Sequence, residues 1–301
     1  MTSLSMKHLR YFDALARIGH FGRAAESCAV SQPALSVQIR ELEQVVGSPL
    51  VERGGRHIRL TGLGEAFALR ARAILRLVDE LEDLGKATRG HLSGRLRLGI
   101  IPTVAPYLLP DIIKTLSARF PGIDTRPREA ITHRLIDDLA EARLDVAIVA
   151  LPVSEPSLEE VALFQEEFVL VRPLEDSGKS VPDPDLLNEM RLLLLEEGHC
   201  FRDQALSVCN ITTSSARELM EGSSLTTLVQ MVGAGIGVTL IPQMAVEIET
   251  RSSPVCVFRL AEPRPTRTIG MVWRKTNPLT AQYAQIADVV RNVGLQKVKR
   301  V

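Results

Sequence analysis

The chain lacks any excess of charge of one sign: 36 Lys and Arg stand against 36 Asp and Glu over 301 residues, for a formal net charge of zero. Binding to nucleic acid or an anionic membrane through bulk charge is therefore excluded, and any such role must rest on a local patch. Aromatic residues are scarce, 4% of the chain with one Trp and three Tyr, so a base-stacking surface has little support. The four cysteines, at 28, 200, 209 and 256, are too few and too widely spaced for a disulfide framework. With no CxxC and no Cys/His cluster, no metal site is expected. No apolar run reaches the roughly 18 residues that would span a bilayer. The opening MTSLSMKHLRYF lacks the basic-then-apolar pattern of a signal peptide. The expectation is a cytoplasmic protein with no membrane association, in which a disulfide would be transient rather than structural.

What is present reads in three parts. Residues 1–62 hold eight basic and five acidic residues, a modest positive excess. Leu9, Phe12 and Leu15 recur at helical spacing, and Ala24 and Ala25 suit a close helix crossing. Ser31 can cap a third helix with Pro33 in its first turn, Leu35, Ile39, Leu42 and Val46 form its apolar stripe, and Gly47 ends it. LVERGGRHIRLT follows, with Gly54-Gly55 joining two short strand-like pieces. This is the pattern of a winged helix-turn-helix domain.

Residues 63–93 predict one long linker helix, starting near Gly64, on which Phe67, Ala71, Ile74, Leu77, Leu81 and Leu84 repeat at three and four residues. A helix this long with an apolar stripe predicts a seam with another chain, carried by Phe67, Ile74, Leu77 and Leu81. From 94 to 301 the period changes, with strands alternating with helices, so an α/β domain with a mostly parallel sheet is expected. Two similar halves predict a bilobed domain of two Rossmann-like subdomains, I at about 94–165 and 269–301 and II at about 166–268. The terminal LQKVKRV reads as a frayed basic tail.

The segment FGRAAESCAVSQPALSVQIRELEQVVGSPLVERGGRHIRLTGLGE resembles the DNA-binding region of the LysR-type transcriptional regulators, and the order and length of the remaining parts extend the resemblance over practically the whole chain. EEGHCFRDQALSVC, IPTVAPYLLP, REAITHRL and TRTIGMVW are similar to the peroxide-sensing subgroup of that family. The resemblance implies a homodimer pairing into a homotetramer on promoter DNA, with RNA polymerase as a further partner. It also implies hydrogen peroxide as the signal, cellular thiol reductants to reset it, activation of antioxidant genes, no cofactor and no enzymatic turnover.

The DNA-binding reading has a physical basis of its own. Short and amide side chains at the start of a recognition helix can meet base edges in the major groove, and arginines at its margin can meet phosphates. Ser31, Gln32, Pro33, Ser36, Gln38 and Arg40 fit that description. Arg53 and Arg56 flank the Gly-Gly turn, where a wing reaches phosphates or the minor groove. Taken singly, each is equally a helix cap or a solvated side chain.

In the resembled subgroup one cysteine reacts with peroxide and a second resolves it, roles that fall here on Cys200 and Cys209. His199 and Arg202 flank Cys200, and positive charge and hydrogen-bond donors favour a reactive thiolate. An unbroken helix between the two cysteines would separate them by about 13.5 Å of rise, against the roughly 4.4 to 6.8 Å that a disulfide tolerates between Cα atoms. Oxidation would thus require the 200–209 segment to unwind. By motif, the resemblance places the peroxide pocket at Thr103, Thr132, His199, Arg202, Asp203 and Arg267. Cys28 and Cys256 read as core filling. The alternatives are a LysR-type regulator responding to a small metabolite in the interlobe cleft, a thiol peroxidase, and a bilobed solute-binding protein.

Overall fold

The computed structural model describes residues 3–52, 58–87, 93–180, 190–208 and 220–300. The chain divides into two compact units, Met1–Gly85 and Lys86–Val301. In the first, Ser5 caps α1 (Met6–Ile18) by accepting from the His8 amide, and Gly19 ends it at φ 65°, a backbone setting open to glycine. After α2 (Phe21–Ser27), the Ser31 side chain accepts from the Ala34 amide and opens α3 (Gln32–Val46). Phe12, Leu15, Leu35, Ile39, Leu42 and Leu50 form the buried centre, and fully buried Ala24 and Ala25 let α2 approach it closely. The Glu43 carboxylate accepts from the Leu50 and Val51 amides at 2.9 and 3.3 Å, tying the end of α3 to β1 (Val51–Glu52). β1 pairs antiparallel with β2 (Arg59–Leu60). Arg53 and Arg56 lie outside the described residues.

The linker helix is α4 (Gly62–Ala87). A Cβ on Gly64 would stand 2.0 Å from the Leu50 carbonyl oxygen, so only glycine lets α4 lie this close to the chain leading into β1. The expected single apolar stripe is corrected here, because it divides by partner. Phe67 meets Phe12 edge to face at 5.4 Å, and Ala68 and Ala71 are buried. The early turns are thus used by their own domain, and Phe67 is a core contact. Ile74, Leu77 and Leu81 instead remain 40%, 54% and 66% exposed, within about 60° of one another around the helix.

The second unit is built on one sheet. Its elements in chain order are β3 (Gly94–Ile100), α5 (Ala105–Arg119), β4 (Ile123–Glu129), α6 (Thr132–Ala140), β5 (Val146–Leu151) and β6 (Leu158–Pro173). They continue with β7 (Leu192–Leu195), α7 (Cys200–Val208), β8 (Met220–Gly222), α8 (Leu225–Gly233), β9 (Val238–Pro242) and α9 (Val246–Glu249). The last three are β10 (Val255–Arg259), β11 (Thr266–Arg274) and α10 (Thr280–Arg300). The spatial order is β4-β3-β5-β11-β6-β9-β7-β8, with β10 also paired to β6.

The sheet is mixed, which corrects the expectation of a mostly parallel one. β3 runs parallel to β4 and β5, and β7 parallel to β8 and β9, as helix-connected strands do. The long strands that carry the chain between these groups run antiparallel to their neighbours. β6 pairs with β11 through Glu167 and with β9 from Phe168 onward, and β10 lies against its far half. Leu98, Ile100, Ile148, Leu170, Leu240 and Trp273 are among the residues buried between this sheet and its helices. The terminal segment read as a frayed tail is instead helical to Arg300: Val298 packs against the core and Lys297 meets the Glu247 carboxylate at 3.0 Å. Among the described residues no helix is long and apolar enough to cross a membrane.

Candidate functional site

The buried strand β7 delivers the chain into a short loop, Glu196 to His199, and then directly into α7, whose first residue is Cys200. Gly198 takes φ 93° in this loop, and a Cβ there would come within 3.0 Å of Ile131 Cδ1 and 3.5 Å of the His133 ring. The loop therefore lies against the start of α6. Thr132 is the first residue of that helix, and its buried hydroxyl oxygen has no hydrogen-bond partner among the described residues. Leaving such a group unpaired is costly in a folded interior, so this hydroxyl is open to a hydrogen-bond partner. His199 is half-buried; burial holds its imidazole below the ordinary value, opposed by the charge of Glu196.

A second set of contacts reaches the same helix from below. Cys200 is half-buried and packs against the core. Phe201, fully buried, lies 5.2 Å from the Phe168 ring and has the Arg267 guanidinium 5.2 Å from its centroid. Arg267 donates through Nη1 to the Thr103 hydroxyl at 2.8 Å and through Nη2 to the Thr103 carbonyl oxygen at 3.0 Å. Its Nε donates to Glu166 Oε1 at 2.8 Å, and Nη2 lies 2.7 Å from the same oxygen, with both side chains shut off from solvent. The other Glu166 oxygen accepts from the Met244 amide at 3.2 Å. Nearby, Tyr107 donates to Glu249 at 2.6 Å; burial first, and then this bond, raise the tyrosine far above its ordinary range.

The predicted pocket residues thus fall into distinct groups. Thr103 and Arg267 are joined directly and lie beneath the residue after Cys200, while His199 belongs to the loop that meets the start of α6 beside Thr132. Arg202 is buried, and its guanidinium is committed to the Leu195 carbonyl at 2.9 Å and the Glu221 carboxylate at 2.6 Å. Its charge thus braces α7 against β7 and β8. Asp203 is exposed. Cys209 lies outside the described residues. Glu166, the Met244 amide and the Tyr107–Glu249 pair were missed by sequence reasoning. The only local signal was a carboxylate inside the strand pattern EEFVLV, which demands a partner if it faces inward.

At the other end of the chain, Ser31, Gln32, Pro33 and Ala34 form an exposed first turn of α3. Ser36 is half-buried. Gln38 is engaged with Glu41 at 2.6 Å, and Arg40 Nε donates to the Ser36 carbonyl at 3.3 Å while remaining exposed. Gln32 is therefore the amide most open to an incoming base edge, and Gln38 would first have to leave Glu41.

Residues 6–65 match the family described as bacterial regulatory helix-turn-helix protein, lysR family, and residues 89–294 match the LysR substrate binding domain. A probable hydrogen peroxide-inducible genes activator from Streptomyces viridosporus is 41% identical over 291 residues, covering 95% of this chain and 93% of that protein. The DNA-binding transcriptional dual regulator OxyR of Escherichia coli K12 is 41% identical over 292 residues, covering 96% and 95%. Among solved structures, a full-length OxyR variant from Pseudomonas aeruginosa is similar with a TM-score of 0.76 and 36% identity, over 97% of this chain and 96% of that one. A hydrogen-peroxide-bound OxyR mutant from Corynebacterium glutamicum is similar with a TM-score of 0.69 and 31% identity, over 98% and 94%.

Proposed function

Because the chain belongs to the LysR family of helix-turn-helix transcription regulators, we propose that it reads hydrogen peroxide through Cys200 and changes its grip on promoter DNA in response. The observation that carries this reading is the setting of Cys200, the first residue of a helix, with the Arg267 cation stacked on the ring of the next residue. The thiolate is the form of cysteine that attacks peroxide, and Cys200 opens its helix, at the end where a helix presents its free backbone N–H groups. The unpaired Thr132 hydroxyl and the Thr103 hydroxyl supply groups that can orient the two peroxide oxygens.

The chemistry proceeds in two balanced steps. The Cys200 thiolate attacks one peroxide oxygen, an S–O bond forms as the O–O bond breaks, and hydroxide leaves and takes up a proton as water. The Cys209 thiol then attacks the sulfenic sulfur, an S–S bond forms as the S–O bond breaks, and a second water leaves. Two electrons from cellular thiol reductants reverse the change. Since α7 begins at Cys200 and runs to Val208, bridging the pair requires unwinding that helix, which couples oxidation to a change of shape.

In this reading residues 1–62 bind DNA, 63–93 link and dimerise through Ile74, Leu77 and Leu81, and 94–301 sense the signal. The working form is a cytoplasmic homodimer that pairs into a tetramer on promoter DNA and engages RNA polymerase, with no turnover of its own. Ser31, Gln32, Pro33 and Ser36 approach base edges, with Arg40, Arg53 and Arg56 on the backbone. Footprints of reduced and peroxide-treated protein on one promoter test the proposal. Oxidation should alter the length or position of the protected region; an identical footprint would favour a regulator answering to a metabolite.

A further inference from the structure

Arg267 reaches the helix that begins at Cys200 through the Phe201 ring, 5.2 Å from its guanidinium, and that guanidinium is held on its other sides. Glu166, on β6, takes both Nε and Nη2 of Arg267 on one carboxylate oxygen, while its other oxygen takes the Met244 amide. N–H donors on both oxygens are the surroundings of a carboxylate rather than a carboxylic acid. Burial is the larger influence and raises the Glu166 carboxyl above its ordinary value, while the Arg267 contacts and the Met244 amide work against that rise. The remaining contacts of the guanidinium are the Thr103 hydroxyl and carbonyl, and the Phe201 ring. Of the titratable groups around the cluster, Tyr107 feels the charges of both Arg267 and Glu166, and it is bonded to Glu249. From the loop and helix above come His199, with Glu196 acting on it, and Arg202, which is paired with Glu221.

We propose that Glu166 is a positioning residue of the sensor: it pins the Arg267 guanidinium against the Phe201 ring and moderates the positive field that reaches Cys200. Nε donates to Glu166, which also forms an ion pair with Nη2, and Nη1 and Nη2 each donate to Thr103, which fixes the plane of the group. The carboxylate thereby sets a limit on thiolate reactivity. A sensor that must stay reduced until peroxide rises is served by a cation whose charge is partly cancelled, because a fully expressed charge would favour indiscriminate oxidation. This inference rests on the reading of Cys200 as the reactive cysteine.

The test compares full-length wild type with Glu166→Gln, Arg267→Gln and the double variant, following the rate of Cys200 alkylation by iodoacetamide against pH, with mass spectrometry reporting the Cys200 peptide alone. Glu166→Gln keeps an acceptor for Arg267 but removes the negative charge. Its profile should move to lower pH, raising the alkylation rate near pH 6 by about threefold. In the Arg267→Gln background the same substitution should have no such effect, because it acts through the arginine. An unmoved profile, or an equal shift without Arg267, would overturn the proposal. Should Glu166→Gln fail to fold, Glu166→Asp keeps the charge and shortens the arm. It should leave the alkylation profile in place while slowing the peroxide reaction by about tenfold through misplacement of the guanidinium, and an unchanged peroxide rate in that variant would likewise overturn it. Wild-type Cys200 inert to peroxide would instead defeat the functional reading, and the alkylation profiles would still judge the role of Glu166.

Discussion

Gly198 lies directly against Ile131: a Cβ on the glycine would stand 3.0 Å from Ile131 Cδ1. Through this contact the loop that ends at Cys200 is seated on the first turn of α6, beside the unpaired hydroxyl of Thr132. Gly198 also has φ 93°, a backbone setting that side chains disfavour.

Gly198→Ala therefore meets two penalties at once, conformational and steric. The substitution should cost about 1 to 2 kcal/mol, and the loop should lift from Ile131 to relieve part of it. Thermal unfolding measures the first effect, and the rate of Cys200 oxidation by limiting peroxide measures the second. A variant with wild-type stability and rate would show that the loop is not held against α6 in the reactive form.

The two cysteines should behave unequally. Cys200→Ser should abolish reaction with peroxide, since serine offers no thiolate near neutral pH. Cys209→Ser should leave the first step intact and remove the second, so mass spectrometry after limiting peroxide should find sulfenic acid at Cys200 and no bridge between the two positions. In the unaltered protein the bridge should form within one chain and raise protease cleavage between His199 and Asn210. Cys200 staying inert in the Cys209→Ser protein would show that the nucleophile lies elsewhere.

Leu77 is 54% exposed on α4, so a charge there is tolerated by an isolated chain and costly only where a second chain covers it. Leu77→Asp should weaken dimerisation by several kcal/mol, on the order of the cost of burying an unpaired charge, with little change in unfolding of the regulatory unit. Phe67→Ala should instead lower the stability of the DNA-binding unit, because its ring packs on Phe12. Sedimentation at micromolar concentration reads the first variant and thermal unfolding the second; a fully dimeric Leu77→Asp protein would place the main interface elsewhere.

Burial holds the His199 imidazole below its ordinary value of 6.5, with Glu196 opposing. A histidine whose value is depressed on folding binds its proton more readily when unfolded. Stability then rises with pH across the window between the folded value and 6.5, and is lost as pH falls through that window. His199→Gln cannot take up the proton, so wild type should lose stability relative to this variant as pH falls below about 6.5. Parallel unfolding curves across that range would be contrary to this expectation.

The amino-acid sequence by itself determined the local elements and their order. The helix caps at Ser31 and Gly47, the apolar spacing of α3 and the change of period after Gly94 are all encoded within a few residues of where they act. Cys200 was legible for the same reason, since GHCFRDQ places the loop, the cysteine and the start of a helix in one short run. Tertiary structure alone decided which faces and charges are already taken. Phe67 and Leu77 share one apolar repeat, yet Phe67 packs on Phe12 of its own chain while Leu77 is 54% exposed. Arg202 and Arg267 both read as residues of the peroxide pocket, but Arg202 is paired with Glu221, and Arg267 is held by Glu166 and Thr103 from strands and loops more than 100 residues away. The direction of β6 and β11 was equally beyond local reading, because a strand's residues prescribe its alternation while the neighbours against which it lies prescribe parallel or antiparallel pairing. Such pairings depend on contacts between distant segments, and a one-dimensional pattern carries no term for them.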